Sequence, residues 1–344
     1  MTKLIAAVVA LAVAVPALAA EVNLFIWSEY IDPELVTKFE EQTGHKVNIS
    51  LFEATEEMMA KLQAAGGAAQ YDIVVAPNES IKALVELKLI QKVDRAKLPN
   101  LAGVKPQFKS PGYDPAGEYS VPYQWGTVGV MWNSKNVQLE SPISWSVVLG
   151  ENPPAKFVLI DTLRDQLGAA LKFRGHGAST TDADEIRDAG KLVLAAKKQD
   201  NCVGFDGSVG GKNKVLAGNA DVAVVYNGEA LRAQEENEAM AFEVPKEGSM
   251  LWVDLMVLTA GSRNAEAAHQ FMNFILDPAN NAQLSNFNLF ATPIEAAMPL
   301  IDEETRTNPA IYPPAEVLER MEFLQDVGDA TRLYDQVWTA VKSR

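Results

Sequence analysis

VNLFIWSEYIDPELVTKFEEQTGHKVNISLF, residues 22–52, joins a strand, a helix and a second strand with little linker between them. Val22–Trp27 is a short apolar run of the kind a sheet buries on both faces. Asp32-Pro33-Glu34 follows: an Asp suited to cap free amides, a Pro whose φ is preset for the first helical position, and an acid in the first turn. The spacing predicts a helix over Pro33–Gly44, stopped by a glycine able to turn left-handed. Val47–Phe52 reads as the next strand. Further on, Glu56–Ala65 reads as a helix ended by Gly66-Gly67, Ile73–Ala76 as a strand and Ser80–Leu87 as a helix. This βαβαβ rhythm predicts an α/β protein with a parallel sheet and helices on both faces. Gly126–Trp132, Ala220–Tyr226 and Leu251–Leu258 repeat the buried-strand signature, the last interrupted by Asp254.

Ligands of open α/β sheets bind beyond the carboxyl ends of the strands, where loops converge. Trp27-Ser28-Glu29-Tyr30, Pro77-Asn78-Glu79-Ser80 and Tyr226-Asn227-Gly228-Glu229 occupy such ends. They carry aromatic and acidic side chains in place of the glycines and bases of phosphate-binding loops. That pattern suits a cation.

The 344 residues are 48% hydrophobic and 22% charged, which excludes wholesale disorder and gives length for two domains. Lys and Arg number 30 against 45 Asp and Glu, a formal charge of −15 that disfavours nucleic-acid and membrane-surface partners. The single Cys202 excludes an internal disulfide and any multi-cysteine metal site. His45, His176 and His269 are scattered and read as exposed surface residues, so no metal or cofactor is expected. Gly207-Ser208-Val209-Gly210 lacks the first glycine of a nucleophile elbow, and Gly210-Gly211-Lys212-Asn213 lacks the hydroxyl of a phosphate loop. Nothing in the sequence argues for catalysis. At the N-terminus, MTKLIAAVVALAVAVPALAA (residues 1–20) has a basic start, a short apolar run and the small-x-small ending of a signal peptide. Cleavage after Ala19 or Ala20 and export to a bacterial periplasm are expected.

IWSEYIDPELVTKFEEQTGHKV (26–47), YDIVVAPNES (71–80), VPYQWGTVGVMWN (121–133), PKEGSMLWVD (245–254) and NPAIYPPAEV (308–317) together resemble the polyamine-binding proteins of bacterial ABC importers. The resemblance spans nearly the whole mature chain. It implies a type II periplasmic-binding-protein fold: two α/β lobes joined by a two-strand hinge, with the ligand in the cleft between them. Crossings are expected near Val121–Gly126 and Pro245–Trp252. Lobe one would comprise 21–125 plus about 252–290, and lobe two 126–251 plus about 291–344. The implied protein is a monomeric, non-enzymatic receptor that hands putrescine or a related polyamine, spermidine included, to a membrane permease.

The chemistry of a diamine site can be stated independently. Carboxylates must meet the ammonium ends, and aromatic faces must cover the methylenes between them. By resemblance, Asp254 is the central ammonium-binding acid. Glu229 matches a position acidic in putrescine-type members, where its long arm would set chain length. Asp165 falls in a strand-to-helix loop of lobe two. Trp27 and Tyr30 match a stacking pair with Ser28 as a polar neighbour, while Tyr226, Trp252 and Phe290 match wall positions. Glu79 is an added acid, and Leu324 stands where spermidine binders can carry an amide. Relatives of the putrescine type can hold a disulfide in lobe two, which Cys202 alone cannot form. Two alternatives remain open: a zwitterionic ω-amino acid, which needs Arg164 or Lys212 to face Asp254, and a secreted hydrolase using Asp254 and Glu229.

Overall fold

The computed structural model describes residues 19–64, 66–109 and 112–343. The leader expected over residues 1–20 lies outside these except for Ala19 and Ala20, as does Ala65 at the expected end of the second helix. The chain opens with β1 (Glu21–Trp27), α1 (Pro33–Thr43), β2 (Lys46–Phe52), α2 (Thr55–Gln63), β3 (Ile73–Pro77), α3 (Ile81–Glu86) and β4 (Ile90–Gln91). In α1 the Asp32 carboxylate accepts from the Glu34 amide at 2.8 Å, and Gly44 terminates the helix at φ 73°. Leu35 and Phe39, one turn apart, are fully buried, so the cap sets where the helix starts and its apolar stripe sets how it packs.

The long strand β5 (Ser120–Asn133) leads into a second unit: α4 (Ser146–Leu149), β6 (Phe157–Ile160), α5 (Leu163–Phe173), α6 (Ala183–Lys197), β7 (Cys202–Asp206), α7 (Ser208–Leu216), β8 (Val222–Tyr226), α8 (Asn227–Glu236) and β9 (Met240–Glu243). Then β10 (Met250–Thr259), α9 (Ala265–Ile275) and α10 (Pro278–Asn288) return to the first unit. The chain ends with α11 (Glu303–Thr307), α12 (Ala315–Leu318), β11 (Glu322–Phe323) and α13 (Thr331–Ser343).

The principal strand order is β2-β1-β3-β10-β5-β8-β6-β7. β1 runs parallel to β2 and β3, and β6 parallel to β7 and β8, as βα units dictate. The expectation of a parallel sheet fails at its centre, where β10 is antiparallel to both β3 and β5, and β5 to β8. β10 re-enters the first unit after a long excursion through the second, with no crossover helix to impose a parallel direction.

Of the 14 residues of β5, Ser120–Thr127 pair with β10, and Val128–Asn133 pair with β8 and β9. One strand thus belongs to both lobes and forms one crossing. The segment between β9 and β10 makes the second. A third passage, beyond the two expected, runs from β11, paired to the start of β10, to α13, packed on α5 and α6. It is needed because α13 closes the second lobe: Tyr334, Trp338 and Val341 are buried there. Gly190 of α6 permits the close approach, since a Cβ at that position would lie 2.2 Å from Val337 Cγ1. Residues 291–294 remain beside the first unit, with Ala291 bridging Trp125 and Ile294 bridging Val104.

Two of the histidines are not at the surface as expected. His45 and His269 are 5% and 4% exposed. His45 Nδ1 accepts from the Ala20 amide, and His269 Nε2 accepts from the Asp94 amide, so both are structural hydrogen-bonding groups.

Candidate functional site

The carboxyl ends of β1, β3 and β8, the start of α5, and the middle of β10 converge between the lobes. Trp27 closes β1, and Glu29 in the following turn holds φ at 54°, left-handed for a residue with a side chain. Glu79 sits in a single 3₁₀ turn directly after Pro77. Buried Asn78 ties this turn to its surroundings, donating to the Leu324 carbonyl at 2.5 Å and accepting from the Val253 amide at 3.3 Å. Trp252 and Asp254 are two residues apart on β10 and share a face. Asp254 is paired with Gln124 of β5 and Pro77 of β3, and the register against β5 shifts immediately after it. Gly126 makes room for the Trp252 indole, because a Cβ there would come within 2.4 Å of the ring. Tyr226 ends β8, Glu229 lies in the first turn of α8, and Phe290 follows α10. Asp165 belongs to the first turn of α5 rather than to the loop expected for it.

Trp27, Ser28, Tyr30, Glu79, Asp165, Tyr226, Glu229, Trp252, Asp254 and Phe290 all line one cleft. Glu53, Thr55, Pro77, Thr162, Ser208, Val209 and Leu324 complete it. The sequence marks Pro77, in a strand-end loop, and Leu324, and it gives Ser208 and Val209 only as a loop unfit for a nucleophile; Glu53, Thr55 and Thr162 carry no such mark. Thr162 could have been read, since it too follows a strand end. Ser208 Oγ accepts the Tyr226 amide at 2.9 Å and so fixes the wall rather than serving as a nucleophile.

The aromatic walls meet edge to face: Trp252 lies 5.0 Å from Phe290 and 5.6 Å from Tyr226, and Tyr30 lies 5.4 Å from Phe290. Such mutual support fixes ring orientation before any ligand arrives. Trp27 Nε1, Glu79 Oε2, Asp165 Oδ1 and Trp252 Nε1 are buried without a hydrogen-bond partner. Unsatisfied buried polar atoms are rare in folded proteins, and their concentration in one cleft marks a place built to meet another molecule.

Electrostatics divide the cleft in two. Burial pushes Asp254 well above the usual carboxylate range, opposed by the Tyr30 hydroxyl and reinforced by Glu79 and Asp165. Burial likewise pushes Glu79 up to about 7, against the pull of Arg164. Asp165 is pushed up to about 6, although the Tyr226 hydroxyl donates to it at 2.8 Å. These acids crowd together with little positive charge among them.

Glu229 differs. Expected as the acid whose long arm sets chain length, it has its pKa raised by burial like the others, but Arg232 Nη2 lies 2.5 Å from its carboxylate and Lys212 Nζ 3.7 Å, and both oppose that shift. Glu29, from the other lobe, joins the group at 3.0 Å from Lys212 and 2.9 Å from Arg232. Arg232 also donates to the Glu29 carbonyl at 2.9 Å. Two acids face two bases, and this end of the cleft is closed by its own ion pairs across the lobes. The Glu229/Arg232 spacing along α8 is legible in the sequence; the partners from α7 and the β1 turn are not. Arg164 donates to Ser179 Oγ and the Gln325 carbonyl and lies over the Tyr334 ring, 5.0 Å from its centroid. Among the described residues no cluster of His, Cys, Asp and Glu forms a metal site, and no helix is long and apolar enough to cross a membrane.

Residues 34–313 match the family described as bacterial extracellular solute-binding proteins. The putrescine/cadaverine-binding protein of Pseudomonas aeruginosa is 33% identical over 358 residues, covering 100% of both chains. The spermidine/putrescine-binding periplasmic protein of Escherichia coli is 31% identical, covering 92% of this chain and 90% of its own. Among solved structures, a putative spermidine/putrescine ABC transporter protein from Listeria monocytogenes superposes with a TM-score of 0.86 at 30% identity, over 94% of this chain and 98% of the other. The mixed sheet shared by two lobes is that of the type II periplasmic-binding-protein fold. The chain belongs to the bacterial extracellular solute-binding proteins, a family of receptors rather than enzymes.

Proposed function

We propose that the protein captures putrescine or a related polyamine between its lobes in the periplasm and delivers it to the permease of an ABC importer. The observation that carries this reading is the group of buried Asp254 and Asp165 with half-buried Glu79, two of them with unpartnered oxygens, enclosed by aromatic rings. Alone, such acids favour the protonated state; an ammonium brought among them restores the charge and supplies the missing donors. Asp254 anchors one ammonium. Trp27, Tyr30, Tyr226, Trp252 and Phe290 cover the chain, with Ser28 beside them. The names of the relatives support polyamines as the ligand class.

Lobe one is assigned to residues 21–125 with about 252–290 and the strip near 291–294, and lobe two to 126–251 with α13. Closure brings both lobes onto the ligand, so the closed state binds more tightly and ligand shifts the hinge equilibrium. The permease reads that closed shape. The leader over residues 1–20 exports the chain, and the receptor works as a monomer. Glu229 retains a place in the wall, but as the partner of Arg232 and Lys212. Since Glu29 and Glu229 already match those two bases, nothing at that end favours the carboxylate of an ω-amino acid.

Titration calorimetry of the mature chain with putrescine, cadaverine, spermidine and γ-aminobutyrate tests the reading. Saturable binding of the polyamines and none of the amino acid is expected. Tight binding of the amino acid with no polyamine heat would overturn it.

A further inference from the structure

Of the acids lining the cleft, Glu229 is the one held in an ion pair among the described residues. Its two partners are themselves nearly buried, the Lys212 side chain 5% exposed and that of Arg232 12%. A buried base is stable only against an acid, and a receptor for cations has reason to keep bases away from its cleft. Here the helices bring both up to the wall. Lys212 lies one turn after Ser208 in α7, and Arg232 one turn after Glu229 in α8, so each shares a face with a lining residue.

Their hydrogen-bonding character excludes an ammonium. Lys212 Nζ donates to Glu29, Arg232 Nη1 donates to the Glu29 carbonyl, and Arg232 Nε is buried with no partner. Lysine and arginine offer donors only, and so does an ammonium, which can satisfy none of them. The Glu229 Oε2 atom that an ammonium needs is already held by both bases. Charge leads to the same result. With ligand bound and the acids ionised, Asp254 contributes one negative charge. Asp165 and Glu79 contribute two, from which the nearby Arg164 removes one. The quartet of Glu29, Glu229, Lys212 and Arg232 contributes none. Glu53, the remaining acid of the lining, is exposed to water and accepts the Ser28 hydroxyl. Two ammonium groups balance this cleft, and a third has no counter-charge.

Resting on the polyamine reading, we propose that Lys212 and Arg232 determine the specificity of the receptor: they cancel the charge of Glu229 and restrict the cleft to ligands with two ammonium groups. One ammonium of a diamine meets Asp254 and the other meets Asp165 and Glu79. A triamine extended toward α8 brings its third charge against two bases. Diamines such as putrescine are therefore taken in preference to spermidine.

Calorimetry with putrescine and spermidine tests this on the mature chain and on Arg232→Met, Lys212→Met/Arg232→Met and the triple variant that adds Glu229→Gln. Wild type should bind putrescine more tightly. Removing both bases exposes Glu229 as a third counter-charge, and spermidine affinity relative to putrescine should rise by about tenfold or more. Both ligands share whatever is lost with the Glu29 contacts, so the ratio reads the charge alone. Adding Glu229→Gln should return the ratio to within about twofold of wild type. Saturable putrescine binding reports that a variant is folded. If the double variant is not, Arg232→Met alone should shift the ratio the same way by about threefold. The assignment is overturned if wild type favours spermidine, if the ratio stays put in the folded variants, or if the gain survives Glu229→Gln. In those outcomes the receptor reading stands; if wild type binds no polyamine, both fall.

Discussion

At the scale of single residues, Asp254 decides most. Burial raises its pKa well above the carboxylate range, so in the ligand-free protein the charged form carries a desolvation cost that no counter-ion offsets. Asp254→Asn keeps the shape of the side chain and removes that cost. The melting temperature of the ligand-free protein should hold or rise slightly, while polyamine affinity should fall by about 3 kcal/mol, the loss of one buried counter-charge. Calorimetry alongside a melting curve checks both halves, and an affinity within threefold of wild type would remove Asp254 from the anchor role. The sequence makes Asp254 conspicuous because an acid interrupts an otherwise apolar strand. It makes Glu229 equally conspicuous and misleads there. Arg232 lies one turn on in α8, a spacing the sequence carries, but Lys212 comes from α7 and Glu29 from the opposite lobe, and their meeting depends on lobe geometry that no local spacing encodes.

Among the elements, the capped helix α1 and the strands around it are legible because each rests on local chemistry: Asp32, Pro33, Gly44 and an apolar stripe. The direction of β10 is not legible, because periodicity tells that a strand is buried and not which way it runs. Nor is the shared role of β5, whose apolar sequence serves two different partner strands without a break. Helix α13 depends on a contact of the same long-range kind. At Gly190 an added methyl collides with Val337 across the α6–α13 interface. Gly190→Ala, which would favour an isolated helix, should here destabilise the protein by about 1–3 kcal/mol through overpacking. Chemical denaturation measures this, and unchanged or raised stability would mean that α13 shifts without cost.

For the whole molecule, the crowded acids predict how stability and affinity follow pH. Glu79 has its pKa raised from 4.5 to about 7 and Asp165 from 3.8 to about 6. Between the ordinary and the raised values the folded state holds more protons than the unfolded one, so ligand-free stability should fall as pH rises from about 4 to about 7. An ammonium in the cleft lowers the same pKa values. Polyamine affinity should therefore rise across that window and binding should release protons. Melting curves with and without ligand from pH 5 to 8 read both trends, and a ligand-induced shift that shrinks with rising pH would contradict them. The bridge at Glu29 has a consequence of another kind, in time. Opening the lobes must separate Glu29 from Lys212 and Arg232, none of which is asked to touch the ligand's anchor at Asp254. Escape is then limited by this clamp, whereas capture by the open form is not. The Glu29 side chain is 44% exposed, so dissolved salt reaches it. Raising ionic strength, or Glu29→Gln, should shorten the residence time of a bound polyamine by about tenfold in stopped-flow fluorescence with little change in the rate of capture. How long the receptor keeps its cargo is thus tuned from outside by a residue that never holds it.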